Sequence, residues 1–302
     1  MQLAMIGLGR MGMNMAKRLL SDGHRVVAYN RSPQKTDQLV EDGAIGAYSL
    51  PEVVQALSPP RIVWIMLPAG SLVDEVLEQL REQLSPGDII VDGGNTYYKD
   101  DIRRSRFLGE KKIQFVDAGV SGGVWGLKNG YCLMLGGDEE TCRLLDPVFK
   151  SLAPLNGYLY CGDTGSGHFV KMVHNGIEYG MMQAYAEGFD ILKASPYSES
   201  LNFEDVAHLW NQGSVVRSWL LELVESAFKK DPRLSRIKGV VADSGEGRWT
   251  IDQAVESGVS APVIALSLMA RFRSQVEDAF SDRVVAALRQ EFGGHAVEKA
   301  DP

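Results

Sequence analysis

No apolar run in the sequence reaches the ~18 residues that a membrane-spanning helix requires. The chain opens MQLAMIGLG, which enters a strand pattern directly. It lacks the features of a secretory signal, which are a basic start, a long apolar stretch and a small-residue cleavage site. We therefore expect a cytoplasmic protein that does not engage a membrane.

Basic residues are in the minority, since 31 Lys and Arg stand against 39 Asp and Glu and the formal net charge is -8. A general nucleic-acid binder would carry a basic face, so this balance argues against that class. It still permits a small anionic substrate, because a few cations inside a cleft outweigh a distant net charge.

Cysteine is scarce as well, with only Cys132, Cys142 and Cys161 in 302 residues. The odd number and the spacing suggest neither a disulfide framework nor a zinc site, and we expect no metal. We interpret the three as reduced thiols of a cytosolic protein.

The first half of the chain alternates short apolar runs with stretches of helical spacing. The runs typical of buried strands are 3–6, 25–29, 61–66, 88–91, 113–116, 131–135 and 158–161. Helical spacing occurs between several of them, for example at 11–20 and 72–83. This alternation predicts an α/β fold with a doubly wound, mostly parallel sheet of the Rossmann type.

After about Gly165 the alternation stops, and segments with helical period follow at 167–194, 203–213, 216–229 and 261–290. The stretch GDTGSG at 162–167 interrupts both periods with glycines and short polar residues. We therefore predict a dinucleotide-binding domain at residues 1–164 and an all-helical domain at residues 165–302.

The strongest local motif is Gly7-x-Gly9-x-x-Gly12, which follows a strand and opens a helix. In a dinucleotide site the first glycine permits a tight turn, the second lets the pyrophosphate approach, and the third packs helix against sheet. The helix N-terminus then offers free N–H groups to the anion. An ordinary glycine turn is the alternative. Three neighbours would line the same loop: Leu8, Arg10 and Met11.

The end of the second predicted strand bears on the type of nucleotide. NAD sites usually place an acid there, but the sequence is Tyr29-Asn30-Arg31-Ser32. Arg31 can pair with a 2′-phosphate, with hydrogen bonds from Asn30 and Ser32, which favours NADP. Arg31 can equally stack on an adenine, or be a surface residue without a ligand.

Two glycine-rich stretches follow later strands: Asp92-Gly93-Gly94-Asn95 and Ser121-Gly122-Gly123. Ligands of doubly wound sheets bind beyond the carboxyl ends of the strands, so both stretches are candidates for substrate contact. Asn95 and Ser121 can hydrogen-bond hydroxyls or a carboxylate. Either stretch alone can also be a plain turn.

Polar residues form a stripe in the helical stretch GHFVKMVHNGIEY at 167–179. Lys171 and Glu178 are seven residues apart, about two helical turns, with Asn175 between them and His174 beside it. A lysine and a carboxylate in a cleft suit proton transfer, because burial and neighbours bring a lysine pKa toward neutrality. A structural ion pair is the alternative.

Further cations follow: Arg248, Arg271, Arg289 and His295. Each taken alone is typical of a surface salt bridge. Together with Lys171 and His174 they can hold a phosphate and a carboxylate.

At this point the motifs GLGRMG, DGGN, GVSGG, GHFVKMVHNGIEY, GRWT, ARF and RQEFGGH make the chain similar to a known family. It resembles the decarboxylating 6-phosphogluconate dehydrogenases, in their short bacterial form, over nearly its whole length. The resemblance implies oxidative decarboxylation of 6-phosphogluconate to ribulose 5-phosphate and CO2 with reduction of NAD or NADP. It implies Lys171 as general base and then acid, and Glu178 as the acid that protonates C1.

The resemblance also implies the binding groups and the assembly. Hydroxyls and carboxylate would be held by Asn95, Ser121, Gly122, Gly123, His174, Asn175 and Glu178. The phosphate end would be held by Tyr179, Arg248, Arg271, Arg289 and His295. Near the cofactor would lie Leu67, Pro68, Ala69 and Asn95. The carboxy-terminal tail would complete a neighbour's site, in a homodimer or homotetramer.

The chain departs from the long members of that family. It lacks their second run of helices, its loop around Arg248 is shorter, and Pro68 replaces a lysine near the cofactor. These departures leave the oligomer size and the choice between NAD and NADP open. Two other functions remain: a β-hydroxyacid dehydrogenase for another small hydroxy acid, and a non-catalytic nucleotide-binding protein.

Overall fold

The computed structural model of the chain describes residues 1–298, apart from the side chain of Phe292. By internal contacts the chain divides into two units, one from Met1 to His174 and one that begins at Asn175. The boundary predicted between residues 164 and 165 lies earlier in the sequence and stays a prediction.

In the described residues the first unit has one eight-stranded sheet. Its strands are β1 Gln2–Ile6, β2 Arg25–Tyr29, β3 Ile45–Gly46, β4 Ile62–Ile65, β5 Ile89–Asp92, β6 Gln114–Ser121, β7 Cys132–Gly137 and β8 Tyr158–Gly162. Their order is β3-β2-β1-β4-β5-β6-β7-β8, and each neighbouring pair is parallel except β6 with β7. The predicted α/β fold with a mostly parallel sheet is confirmed.

Eight helices of this unit connect the strands. They are α1 Arg10–Ser21, α2 Pro33–Glu41, α3 Leu50–Gln55, α4 Ser71–Arg81, α5 Tyr98–Gly109, α6 Gly126–Asn129, α7 Glu139–Leu144 and α8 Asp146–Leu152. Only a short 3-10 turn, Gly123–Trp125, and α6 join β6 to β7. A parallel return needs a crossover of roughly a dozen residues or more, so this short connection gives an antiparallel pair.

The core of the first unit has two parts, because successive residues of a strand point to opposite faces of the sheet. On β1, Leu3 and Met5 belong to one hydrophobic cluster, whereas Ala4 and Ile6 belong to the other. Burial on both faces explains why the strands are continuous apolar runs rather than alternating ones.

A long helix, α9 Ser166–Ala194, begins in the first unit and continues into the second. The second unit continues with α10 Phe203–Trp210, α11 Trp219–Lys230, α12 Glu246–Glu256, α13 Pro262–Ser274 and α14 Phe280–Gly293. Its core holds Phe189, Ala207, Leu221 and Phe228. No described helix combines the length and the apolar character needed to cross a membrane.

Two details of the helical half were predicted wrongly. The segment 261–290 is two helices, α13 and α14, and the exposed Asp278 between them pairs with Arg283 of α14. Arg248 lies in helix α12 and not in a loop. The glycines of GEGRWT concealed this helix, yet Gly247 is required there, since a Cβ would lie 2.5 Å from the Tyr179 ring.

Candidate active site

The glycine motif between β1 and α1 is built as the sequence predicts. Gly7 has a φ of +93°, and a Cβ there would lie 2.4 Å from the carbonyl oxygen of Met66. A Cβ on Gly12 would lie 2.0 Å from the carbonyl oxygen of Gly7. Gly9 is exposed, and a Cβ there would meet nothing within 4 Å. The loop is therefore closely packed at two glycines and open at the third.

The first turn of α1 fits an anion such as a pyrophosphate. Gly9 is the N-cap residue and has no side chain that could cap the helix, and the first turn contains no acidic residue. A helix start without a capping group leaves N–H donors for a ligand, at the positive end of the helix dipole. The neighbouring Arg10 is exposed, whereas Met11 is half-buried against the core.

Asn30, at the end of β2, shapes the glycine loop. Its Oδ1 accepts a hydrogen bond from the Leu8 N–H at 2.9 Å, and its Nδ2 donates to the Ser32 carbonyl at 3.2 Å. The amide is thus engaged within the protein at both ends. Arg31 and Ser32 are exposed beside it, so they are the groups there that a nucleotide can reach.

The segment after β4 borders the same loop. A Cβ on Gly7 would lie 3.0 Å from a methyl carbon of Leu67. Leu67 is half-buried, and Pro68 and Ala69 are exposed. Leu67 therefore borders the glycine loop, and Pro68 and Ala69 are exposed next to it in sequence.

The DGGN stretch has a different construction from the one that the sequence suggested. The N–H of Gly93 donates to the Ile65 carbonyl, and the N–H of Gly94 donates to the buried Asp92 carboxylate, both at 2.9 Å. A Cβ on Gly93 would lie 2.2 Å from the Trp64 indole nitrogen. The glycines serve packing and not ligand contact, and the exposed Asn95 is the group left to reach a substrate.

Ser121 is the last residue of β6 rather than a residue that follows it. Gly122 and Gly123 come next, with φ of +136° and +54°, which favour glycine. Ser121 Oγ lies 3.5 Å from His174 Nε2. The structure therefore brings these two predicted substrate ligands together.

Lys171 lies over the same strand. A Cβ on Gly119 would lie 2.4 Å from the Lys171 Cβ and 3.1 Å from its Cγ. The missing side chain of Gly119 thus makes room for the lysine stem, and Lys171 is only 8% exposed. Gly119 precedes Ser121 by two residues on β6, so Lys171, Ser121 and His174 share one end of this strand.

Sequence reasoning missed the groups that fix the start of α9. Asp117 of β6 accepts hydrogen bonds from the N–H groups of Gly165 at 2.6 Å and His168 at 2.9 Å. The His168 ring nitrogen Nδ1 lies 2.7 Å from Asp101 Oδ2. A lone carboxylate inside the apolar strand QFVDAGVS was the signal that could have identified Asp117.

In the second unit, two of the residues predicted for the phosphate end are stacked. The Arg271 guanidinium carbon lies 3.4 Å from the centre of the Tyr179 ring, and an Arg271 nitrogen donates to the Ala242 carbonyl at 2.9 Å. The Ser244 N–H donates to the Tyr179 hydroxyl at 3.4 Å. Asn175 and Glu178 precede Tyr179 on α9 and are half-buried.

Arg248 has different partners from those of the stacked pair. Its guanidinium forms two hydrogen bonds with the Asp243 carboxylate, at 2.9 and 3.0 Å, and lies 4.3 Å over the Phe272 ring. These hydrogen bonds hold the pKa of Asp243 below its usual range. Arg248 thus already has a counter-ion at the surface.

Arg289 and His295 lie near the end of α14. The His295 N–H donates to the Arg289 carbonyl at 3.4 Å, and Gly294 has the left-handed φ of +61° that ends many helices. Both side chains are exposed. The two residues of the RQEFGGH motif are therefore joined by a backbone hydrogen bond.

Comparison with protein-family models covers both halves of the chain. The NAD binding domain of 6-phosphogluconate dehydrogenase matches residues 2–162. The 6-phosphogluconate dehydrogenase C-terminal domain matches residues 167–301.

Individual proteins match over the full length. YqeC of Bacillus subtilis is 49% identical over 299 residues, which covers 99% of this chain and 100% of that protein. The NAD(+)-dependent, decarboxylating 6-phosphogluconate dehydrogenase of Haloferax volcanii is 42% identical over 303 residues and covers 100% of both. The solved Plasmodium falciparum 6-phosphogluconate dehydrogenase has a TM-score of 0.83 at 28% identity, over 100% of this chain and 67% of that chain.

Proposed function

The chain belongs to the 6-phosphogluconate dehydrogenase family, and we propose from this that it oxidises and decarboxylates 6-phosphogluconate to ribulose 5-phosphate and CO2. The observation that carries the proposal is the placement of Lys171 over Gly119, beside Ser121 and His174. A buried lysine next to groups that bind hydroxyls and a carboxylate is suited to proton transfer at a hydroxy acid.

A bound nicotinamide would supply the hydride acceptor for oxidation at C3 of the substrate. The open face of Gly9 and the uncapped start of α1 would hold the pyrophosphate. The rest of the nucleotide would contact Leu8, Arg10, Met11, Asn30, Arg31, Ser32, Leu67, Pro68, Ala69 and Asn95. No metal is needed for these steps, because Lys171 and Glu178 supply the proton transfers.

Neutral Lys171 takes the proton from the C3 hydroxyl as C3 is oxidised to a ketone. The ketone lets the carboxylate leave as CO2, because the electron pair of the broken bond passes into the carbonyl. Protonated Lys171 then donates to the carbonyl oxygen, which stabilises the enediol. The lysine therefore acts first as base and then as acid.

Glu178 protonates C1 when the enediol becomes ribulose 5-phosphate. It follows Lys171 by seven residues on helix α9, and seven residues span about 10 Å along a helix. Two proton-transfer groups at that spacing suit different carbons of an extended sugar acid. Asn175 and His174 lie between them in sequence and would bind hydroxyls.

The phosphate end of the substrate would contact Tyr179 and Arg271, whose stacking leaves the guanidinium positioned for an anion. Arg248 is a weaker candidate, since Asp243 already neutralises it. Arg289 and His295 would act from a neighbouring subunit.

An oligomer is supported by the surface of α14. Phe280 is 77% exposed on this helix, and Val284, Val285 and Leu288 are exposed as well. Exposed apolar residues on one helix are typical of an interface. We infer a homodimer or homotetramer in which the carboxy-terminal tail completes a neighbour's site, with residues 1–164 as cofactor domain and 165–302 as substrate domain.

The choice between NADP and NAD rests on Arg31. The full-length Haloferax relative is named as NAD(+)-dependent, whereas Arg31 and Ser32 at the end of β2 suit a 2′-phosphate. We favour NADP. Replacing Arg31 with Ala should raise the KM for NADP about tenfold or more and leave the KM for NAD nearly unchanged, since one charge-assisted hydrogen bond is lost. Equal effects on both nucleotides would contradict this.

The decisive experiment supplies 6-phosphogluconate with NAD and with NADP and follows reduced nicotinamide and CO2 together. Equal amounts of both products are expected. The alternative of a β-hydroxyacid dehydrogenase predicts reduction with an unphosphorylated hydroxy acid such as 3-hydroxyisobutyrate and no CO2. The alternative of a non-catalytic nucleotide-binding protein predicts nucleotide binding without either product.

We expect the protein in the cytoplasm, where its three cysteines, all free in the structure, stay reduced.

A further inference from the structure

A buried charged network, here called the α5 network, lies behind Lys171 in the first unit. Its members are almost fully buried, none more than 1% exposed: Asp92, Asp101, Arg104, Asp117 and His168. Burying charges is costly unless they are paired, so five in one place require an explanation. None of them has a role in the proposed chemistry.

One side of the network holds the start of helix α9. The helix has no acidic residue in its first turn, and the carboxylate that caps it comes from Asp117 on β6. A negative charge at a helix N-terminus is favourable. Gly167 completes the contact, because a Cβ there would lie 2.4 Å from the Met134 carbonyl oxygen. The start of α9 thus rests directly on the sheet.

The other side of the network reaches the DGGN stretch. Arg104 donates to Asp92 at 3.4 Å and to Asp74 at 2.8 Å, and Asp92 accepts from Gly94 and Thr96. Arg104 and Asp101 lie three residues apart on α5, so they share one face of that helix. Helix α5 therefore connects the loop that carries Asn95 to the helix that carries Lys171.

We propose that the Asp101–His168 pair and Asp117 are positioning residues that fix Lys171 over Gly119 relative to Asn95 and Ser121. This inference rests on the proposed function of Lys171. His168 precedes Lys171 by three residues, so a rotation or shift of the first turn of α9 moves the lysine directly.

The hydrogen bonding of the pair argues against a role in stability alone. Within residues 1–298, Asp101 Oδ1 and His168 Nε2 are buried without a hydrogen-bond partner. Such atoms lower stability, and a buried ion pair is often no better than apolar residues of similar size. The pair does fix one orientation, because the 2.7 Å bond joins His168 Nδ1 to a single carboxylate oxygen.

The first test compares His168→Asn with His168→Gln. Asn places an N–H near the position of Nδ1 and can still donate to Asp101, whereas Gln places its amide near Nε2. We expect His168→Gln to lose about 100-fold in kcat, the size of effect that a 1 Å misplacement of a catalytic group produces. KM should change less than about threefold, and His168→Asn should recover most of the kcat.

The measurements include the primary isotope effect on kcat with substrate deuterated at C3. In His168→Gln it should rise, because a misplaced base makes hydride transfer the slow step. Hydrogen exchange of the amides in the first turn of α9 should become faster in His168→Gln only. Equal activity of both variants and wild type, or equal losses without a change in isotope effect, would overturn the positioning role.

The second test is the double variant Asp101→Leu/His168→Leu, with exposed Arg106→Gln on the same helix as control. We expect the melting temperature of the double variant to stay or rise while kcat falls, and the control to keep both. A double variant that folds and keeps full kcat would contradict the inference.

Two further outcomes are separable. If wild-type protein turns over no 6-phosphogluconate with either nucleotide, the proposed function fails, and the hydrogen-exchange difference still tests the positioning of α9.

Ligand-type atoms of Asp101, Asp117 and His168 lie within 4.8 Å of one another. Metal analysis of the purified protein should find no stoichiometric ion, and an ion bound there would replace the positioning role with a metal site.

Discussion

The two units hold their candidate site residues in different ways. In the first unit, Lys171, Ser121 and the glycine loops are fixed by buried contacts with strand backbones. In the second, Arg289 and His295 are exposed on and after a helix whose apolar residues are also exposed. The candidate groups of the first unit are therefore held by contacts within this chain, whereas the side chains of Arg289 and His295 in the second unit are exposed.

The largest expected effect is that of Lys171→Met, which removes the amine and keeps most of the side-chain volume. We expect kcat to fall by about 10³-fold or more, within the range of lost acid–base catalysis. Nucleotide affinity, measured by fluorescence titration, should not change. Lys193→Met, in the last turn of the same helix, is the control and should be fully active. Persistent turnover by Lys171→Met would remove the lysine from the mechanism.

Gly119→Ala tests how closely the Lys171 side chain packs on strand β6. The added Cβ would lie 2.4 Å from the Lys171 Cβ, so the helix must shift. We expect kcat to fall about 10- to 100-fold and the free energy of unfolding to fall by about 1–3 kcal/mol from overpacking. Gly109→Ala is the control, because a Cβ there meets nothing within 4 Å. Kinetics and urea unfolding measure both, and an unchanged kcat would refute the close fit.

Arg271→Met and Arg248→Met compare two arginines of the second unit. Arg271 is stacked on Tyr179, and its loss should raise the KM for 6-phosphogluconate about tenfold or more, since a charge-assisted contact is lost. Arg248 is already paired with Asp243, so its loss should change KM by less than about threefold. Steady-state kinetics at constant ionic strength give both values. A larger effect at Arg248 would reverse this assignment.

The smallest effect concerns stability against pH. Burial lowers the pKa of His168, but the Asp101 carboxylate first, then Asp92 and Asp117, raise it from 6.5 to about 10. The folded protein then keeps a proton that the unfolded chain releases, so the contribution of His168 to stability is full below pH 6.5 and falls as the pH rises toward 10.

Burial raises the pKa of Asp101, its hydrogen-bond partner, against the opposing effect of His168. Wild type should lose more melting temperature between pH 6.5 and 9.5 than the Asp101→Leu/His168→Leu variant does. If the melting temperatures of the two proteins change equally across that range, the pKa of His168 is not raised in the folded protein.

The sequence predicted the parts of the fold that follow from local patterns. Strand β2 matches its predicted bounds, and the glycine motif is placed as expected, because a strand, a tight turn and a helix follow one another in a short segment. The division between α13 and α14 was missed, since the apolar spacing runs through it.

The candidate site was predictable where function requires unusual residues in an ordinary element, as in the stripe from Lys171 to Glu178. It was not predictable where a role depends on partners far along the chain. Asp117 caps a helix that starts some fifty residues later, and Asp101 meets His168 across a comparable separation. No local pattern relates such pairs, because only the finished sheet brings them together.

Helix α9 is capped by Asp117, a residue of strand β6, and this has a consequence for the order of folding. Starting a helix is costly until its first turn is stabilised, and here the stabilising carboxylate belongs to β6. The first turn of α9 therefore gains its cap only after β6 has joined the sheet. Domains made earlier on the ribosome generally fold first. The amino-terminal sheet would then act as the template on which the helix carrying Lys171 begins.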